Sequence, residues 1–179
     1  FESTWTLFML GDYNKALGNL LTIYSPYFED NLFHEMYIVE ALIYFNLCLF
    51  KKTGDSISAF IDEFADIKNE LKTLLDQYKE DPIKLSNFVL SDDFDKEVDP
   101  RVVFKIEEDK RFKQRKYYIE SLKKEHTKFM NESVVFQVSS LGEYLRVTID
   151  NDINEAEKNL GKMAYKMIND IYDDLVSSS

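Results

Sequence analysis

The hydrophobic and polar positions of this chain recur with the spacing of helices. Between residues 13 and 24, apolar side chains recur at i, i+4 and i+7, as in a helix that buries one side. The segment 32–50 is apolar on nearly every face, which is typical of a central helix packed between neighbours. From 57 to 78 the apolar residues form a one-sided stripe. We predict that this helix folds back on the central one through a polar break at Lys51 to Asp55.

The region after residue 80 begins with a polar stretch. Its pattern predicts a connector that holds one short helix from Pro82 to Leu90. Asp99-Pro100 is a helix-start signal, because Asp can cap a helix and Pro fits its first position. We predict one long polar helix from this point to about Met130.

The C-terminal part of the chain shows further helical spacing. Segment 134–149 starts with a strand-like run, but its leucine spacing favours a helix, which the polar residues 150–152 are predicted to end. A regular apolar stripe predicts a final helix after this break. The sequence therefore divides into helical hairpins over 1–80, a connector over 81–99, and long helices over 100–179.

The composition supports an all-α fold. Hydrophobic residues make up 45% of the chain, which excludes a disordered protein, and five Gly and three Pro are few for an all-β protein. Cys48 is the only cysteine, so the chain can form no internal disulfide. Since Cys48 lies in an apolar run, we predict a buried and inert thiol.

Two turns of the sequence are alike. Gly11-Asp12 is followed by Ala16, and Gly54-Asp55 is followed by Ala59, at an interval of 43 residues. The run GDYNKAL that starts at Gly11 resembles the tetratricopeptide-repeat family, whose repeats pair two helices across such a turn. The interval exceeds the roughly 34 residues of a standard repeat. Ser56 also replaces the aromatic residue in the second copy.

The resemblance implies a stack of antiparallel helical hairpins whose first helices line a groove for a peptide or partner helix. On that basis Tyr37, Glu40, Tyr44 and Asn46 are the predicted partner contacts. The segments SPYFED and EMYIVEALIYFNLCLF resemble, more narrowly, divergent repeat proteins of bacterial cell envelopes. This implies a periplasmic or cell-envelope location, with the cytoplasm as the alternative, and a chain that is part of a larger protein or assembly.

The charge of the chain is strongly acidic but uneven. Its 33 acidic and 22 basic residues give a net charge of −11, which disfavours nucleic acid as a partner. Residues 101–150 nevertheless hold 11 basic and 8 acidic side chains. Lys113, Lys116, Lys123 and Lys124 are candidate anion-binding residues there. They indicate, as an alternative function, an adaptor for a membrane surface or polyanion through the basic helix 110–128. The competing interpretation is a solvated helix face.

No arrangement of residues in the sequence indicates catalysis. His34 and His126 lack the neighbours of a zinc motif and are predicted surface residues. No nucleophile has a recognisable base beside it, and the two acidic runs fail the pattern of a calcium loop. We therefore predict no enzyme activity, cofactor or metal. The predicted function is that of a protein–protein interaction scaffold.

Overall fold

The computed structural model describes residues 1–28, 31 and 34–178, and it confirms the predicted all-α class. Within this part of the chain every regular element is helical. One 3₁₀ turn covers Pro26–Phe28. The α-helices are α1 (Glu2–Met9), α2 (Tyr13–Ile23), α3 (Glu35–Asn46), α4 (Phe50–Tyr78), α5 (Pro82–Val89), α6 (Phe94–Glu97), α7 (Pro100–Glu107), α8 (Lys110–Met130), α9 (Val134–Gln137) and α10 (Ser140–Ser177).

The chain forms two compact units, each built from segments that are separate in the sequence. The first unit contains Phe1–Thr73, Asp99–Lys105 and the C-terminal residues from Asp170, and the second contains Leu74–Val98 and Ile106–Asn169. The predicted boundaries at 80 and 99 divide the chain by sequence order, whereas these units interleave. Helices α4, α7 and α10 each contribute residues to both units.

The first unit begins with a tight hairpin of α1 and α2. Gly11 has φ of +76°, the left-handed conformation in which glycine ends a helix without strain. The amide of Asp12 donates to the carbonyl of Leu7 (2.9 Å), and that of Gly11 to the carbonyl of Phe8 (2.9 Å). These two bonds form the Schellman motif. The predicted turn at Gly11 is confirmed, and α2 packs Ala16 and Leu20 into a buried cluster with residues of α3.

The turn between α3 and α4 is not at the predicted break. The predicted break at Lys51 to Asp55 is wrong, since α4 begins at Phe50 and includes these residues. The second Gly-Asp turn is also wrong, because Gly54 and Asp55 lie inside a helix. The predicted helix 32–50 is in fact α3, which ends at Asn46, while its predicted start at residue 32 lies outside the described residues.

The chain reverses direction at Cys48. This residue has φ of +58°, and it is the one non-glycine residue with positive φ in the described part of the chain. The amide of Leu49 donates to the carbonyl of Tyr44 (2.8 Å), and that of Cys48 to the carbonyl of Phe45 (3.0 Å). The hydrogen bonds thus repeat those at Gly11, with Cys48 at the glycine position. The prediction of a buried thiol is wrong, because Cys48 is exposed at this turn.

The second unit contains α5, α6, α8, α9 and most of α10. The predicted short helix at Pro82 is confirmed as α5, capped by the Asp81 carboxylate, which accepts from the amide of Lys84 (3.0 Å). The predicted helix from Pro100 to Met130 is instead divided into α7 and α8. Asp109 causes the break, since its carboxylate accepts from the amides of Arg111 (2.7 Å) and Phe112 (3.0 Å) and starts a new helix.

Helix α10 runs without the predicted break at 150–152. Asp150 lies within it and pairs with Arg146 one turn earlier (3.6 Å) and with His126 of α8 (3.3 Å). An aspartate inside a helix costs only a few tenths of a kcal/mol relative to an average residue, so a single polar cluster does not end it. Of the predicted helix 134–149, only Val134–Gln137 forms a separate element, α9.

Helices α5 and α10 approach each other closely in the second unit. Gly161 of α10 is buried, and a Cβ atom built on it would lie 1.7 Å from the carbonyl oxygen of Pro82. Only a residue without a side chain fits this approach. Gly161 therefore fixes how near α10 comes to the start of α5.

Candidate partner-binding site

Helices α3 and α4 form the walls of an apolar groove in the first unit. Its volume is about 430 Å³. On α3 the lining residues recur at i, i+3, i+4 and i+7, and on α4 at i, i+4, i+7 and i+8, so each helix turns one row of side chains toward the groove. The lining residues are Tyr37, Ile38, Ala41, Leu42 and Phe45 of α3, Thr53, Ile57, Phe60 and Ile61 of α4, and Ser178.

The groove is open, and large apolar side chains on both walls contact solvent. Phe45 is 58% exposed, Ile57 49% and Ile61 52%. Below them, Val39 and Ile43 of α3 and Phe60 and Phe64 of α4 are buried and form the core. The two helices are thus fully packed on one side and leave an apolar slot on the other. An open apolar slot between two helices is a candidate interaction site.

Glu40 lies at the centre of a polar cluster beside the groove. Its carboxylate accepts hydrogen bonds from the hydroxyls of Tyr24 (2.9 Å), Ser56 (2.9 Å) and Tyr44 (3.4 Å). Burial, followed by the charge and hydrogen bond of Glu40, raises the pKa of Tyr24 above its usual value. The same causes raise the pKa of Tyr44. The cluster joins the end of α2 to both walls of the groove.

The predicted contact residues Tyr37, Glu40 and Tyr44 are brought together, but they mainly contact other residues of the chain. The Tyr37 ring packs edge-on against Phe60 (6.3 Å between centroids) and Phe64 (5.9 Å). Tyr44 carries the ammonium group of Lys52 over its ring at 5.2 Å. Tyr37 also lines the groove. It is thus the one of the three that both supports the core and faces the slot.

Asn46, the fourth predicted contact, is exposed at the C-terminal end of α3. Its side-chain amide donates to the carbonyl of Leu42 (2.8 Å), within the same helix. This bond ties the Asn46 side chain to its own helix. Asn46 adjoins the turn at Cys48 and does not line the groove.

A second, smaller cavity of about 240 Å³ lies on another side of Tyr37. Arg101 lines it and forms ion pairs with Glu63 and Asp99 (3.0 Å), and its guanidinium group lies 5.4 Å from the Phe64 ring. Burial raises the pKa of Asp99, but the hydrogen bonds and charge of Arg101 outweigh it, so that the net pKa is lowered. Because carboxylates already occupy its guanidinium group, Arg101 is a structural cation.

The predicted anion-binding lysines lie on α8, and most of them pair with carboxylates of the same unit. Lys113 pairs with Glu108 (2.8 Å), Lys116 with Glu107 (2.7 Å) and Lys123 with Glu157 of α10 (2.7 Å). Lys124 is exposed and forms no ion pair with any residue that the structure describes. The basic run is therefore partly neutralised. Of the four predicted anion-binding lysines, Lys124 is the one whose charge is not paired with a described carboxylate.

The histidines occupy different settings. His34 is not the predicted surface residue, because it is buried before α3 with its ring 6.3 Å from that of Phe64. His126 is half-buried and faces Asp150. Among the described residues, no group of three or more His, Cys, Asp and Glu side chains is arranged to hold a metal ion. None of the helices in that part of the chain has the length and apolarity to cross a membrane.

The sequence predicts one wall of the groove, α3, but not the other wall, α4. The stripe over 57–78 predicts that Ile57 and Ile61 are buried, but they are exposed. The buried members of the stripe are Phe60, Phe64, Ile67, Leu71 and Leu75. The angular position around the helix distinguishes the exposed from the buried residues, because Ile57 and Ile61 lie on one edge of the apolar stripe. Only the position of α3 shows that this edge adjoins a slot.

Comparison of the chain with protein-family models, with curated proteins and with solved structures finds no match. The resemblance to tetratricopeptide repeats therefore stays a prediction.

Proposed function

We propose that this protein is a non-enzymatic interaction module whose α3–α4 groove binds an apolar helical segment of another protein. The observation that carries the proposal is the slot itself: about 430 Å³ between two rows of exposed apolar side chains. Leaving such a surface uncovered in water is unfavourable by about 25 cal/mol for each Å² of apolar area. A partner that covers it recovers this free energy.

The shape and chemistry of the groove favour a helix as the occupant. Two neighbouring helices with side chains at i, i+4 and i+7 present ridges and a valley, into which the ridge of a third helix fits. The lining is apolar apart from Tyr37, Thr53 and Ser178, so it offers few hydrogen-bond partners to an extended backbone. A helix satisfies its own backbone and needs only apolar side chains at i, i+3 or i+4, and i+7.

The polar cluster around Glu40 supports the proposal by fixing the walls. Ser56 belongs to α4, Tyr44 to α3 and Tyr24 follows α2, and all three donate to the same carboxylate. The slot is thus held open before the partner arrives. Preorganisation of this kind lowers the ordering cost of binding.

A displayed library of amphipathic helical peptides tests the proposal without knowledge of the natural partner. Selection against the folded protein is followed by affinity measurements on Ile57→Asp and on Leu21→Asp as the matched control. Leu21 is an exposed apolar residue of α2 outside the groove. We expect selected peptides with apolar residues at helical spacing, whose affinity falls at least about tenfold with Ile57→Asp.

The control variant has to retain the affinity of the wild-type protein. Equal loss of affinity in both variants contradicts the proposal, because the peptides then respond to general apolar surface. Selection of extended or polar peptides also contradicts it. Circular dichroism confirms that both variants keep the helix content of the wild type.

A further inference from the structure

A second apolar surface lies at the end of the second unit where α8 turns into α10. Six large side chains there are exposed, and we call them the apolar tip. The valines are the most exposed: Val134 is 72% exposed, Val135 80% and Val138 75%. The apolar tip consists of Met130, Val134, Val135, Val138, Leu141 and Tyr144.

The backbone under the apolar tip is firmly tied. The side-chain amide of Gln137 donates to the carbonyls of Met130 (3.0 Å) and Glu132 (2.8 Å). Phe136 turns inward against Phe129 (6.1 Å between centroids). Gly142 is buried so close to the Phe136 carbonyl that a Cβ would lie 2.1 Å from it. The inward residues hold the turn, and the valines project from it.

Helix α8, which leads into the apolar tip, is basic. Its residues 110–130 contain eight basic and two acidic side chains, although Arg111, Lys113, Lys116 and Lys123 pair with carboxylates. Lys110, Tyr117, Lys124 and Lys128 share the face of α8 opposite its buried residues Ile119 and Leu122. Lys124 and Lys128 lie within two turns of Met130. No ion pair to a described residue neutralises either of them.

We propose that the apolar tip inserts shallowly into an anionic membrane surface while Lys124 and Lys128 contact the lipid headgroups. The valines stand on a projecting turn, and a fluid lipid surface accepts such a shape without a complementary pocket. Apolar residues combined with flanking lysines are the features of interfacial membrane binding. The charges of Lys124 and Lys128 complement acidic headgroups, and long lysine side chains reach them from the helix behind the tip.

Two acidic residues of the same region oppose this contact. Glu132 and Glu143 are exposed beside the valines. Their carboxylates repel acidic headgroups, so the proposal predicts that Glu132→Gln strengthens binding to anionic vesicles. A surface that bound only through apolar contacts would not show this response.

Sedimentation with lipid vesicles tests the proposal on the whole chain. We expect binding to vesicles that mix phosphatidylserine with phosphatidylcholine, and little binding to phosphatidylcholine alone. Val134→Ser/Val135→Ser and, separately, Lys124→Gln/Lys128→Gln each reduce the binding at least about tenfold. The matched control Leu21→Ser/Val176→Ser alters two exposed apolar residues elsewhere and leaves the binding unchanged.

Fluorescence gives a second readout that locates the contact. Trp5 is the only tryptophan, so Val135→Trp in a Trp5→Phe background places a single reporter in the apolar tip. A blue shift of its emission on anionic vesicles is expected. Absence of vesicle binding, or equal binding by the serine variants, overturns the proposal. Self-association that the valine substitutions abolish, without any vesicle binding, overturns it in favour of a contact between copies of the chain.

Discussion

Replacement of two helical glycines by alanine is expected to shift stability in opposite directions. At Gly161 the new Cβ would lie 1.7 Å from the carbonyl oxygen of Pro82 and 2.5 Å from its carbonyl carbon. Both are backbone atoms, so no side chain can rotate away and α5 has to move. Overpacking of this kind costs about 1–3 kcal/mol, and the severity of the overlap places it at the upper end.

The gain in helix propensity offsets part of that cost. Alanine is about 1 kcal/mol more favourable than glycine in a helix interior. The net expectation for Gly161→Ala is a loss of about 2 kcal/mol. In a protein of this size that corresponds to a fall of roughly 4–8 °C in the melting temperature.

Gly54→Ala is the matched substitution. Gly54 is exposed inside α4, and its Cβ would meet no heavy atom of the described residues within 4 Å outside its own helix. Only the propensity gain remains, so we expect about 0.5–1 kcal/mol of added stability. If Gly54 were instead in a left-handed turn like that at Gly11, the same change would destabilise.

Urea unfolding followed by circular dichroism measures both variants. We expect urea midpoints on opposite sides of the wild-type value, with an unchanged dependence of the unfolding free energy on urea concentration. A neutral Gly161→Ala would refute the close approach of α10 to Pro82. A destabilising Gly54→Ala would refute the start of α4 at Phe50.

Three further predictions concern the first unit. Cys48→Gly removes the strain of a side chain in the left-handed conformation and is expected to add about 1 kcal/mol to the free energy of unfolding. The exposed thiol of the wild-type protein should react with a disulfide reagent in the folded state, and a slow reaction would contradict the exposed turn at Cys48. Arg101→Met leaves Asp99 half-buried without its cation and should destabilise the protein by about 2 kcal/mol at neutral pH. Because the pKa of Asp99 is lowered in the folded state, the stability that the ion pair contributes is present above the unfolded pKa of Asp99 and is lost as the pH falls through its folded pKa. The stabilities of wild type and variant therefore converge in acid. Burial raises the pKa of Glu70, so the ionised carboxylate lowers the stability of the fold above the usual glutamate pKa of about 4.3. Glu70→Gln keeps an acceptor for the amide of Asp99 and should stabilise the protein at neutral pH but not in acid. Urea titrations at several pH values measure this difference.

The helical class and several boundaries were predictable because they depend on local signals. Glycine has no side chain and so suits the left-handed helix end at Gly11. Asp81 is a good helix cap, and Pro82 fits the first position of the helix that follows. The turn at Cys48 had no such signal. A cysteine in the left-handed conformation is unfavourable by itself, and only the packing of α3 against its neighbours holds it there. Gly54 supplied a false signal, since an exposed glycine is tolerated within a helix.

The candidate site was only half predictable for a related reason. Tyr37, Glu40 and Tyr44 all lie on α3, which is one wall of the groove, and the helical pattern of the sequence predicts that they belong to one helix. Whether their polar groups face a partner or each other depends on where Tyr24 and Ser56 lie, and those come from other elements. The exposed edge formed by Ile57 and Ile61 became a groove wall only through its pairing with α3.

Methyl resonances of the protein give the most direct test of the groove as a binding site. With selectively labelled isoleucine, a selected helical peptide is titrated into the folded chain. The account predicts that the signals of Ile38, Ile57 and Ile61 shift together, while those of Ile153 and Ile168 in the second unit stay in place. Shifts confined to the second unit, or spread evenly over all isoleucines, would contradict a partner site between α3 and α4.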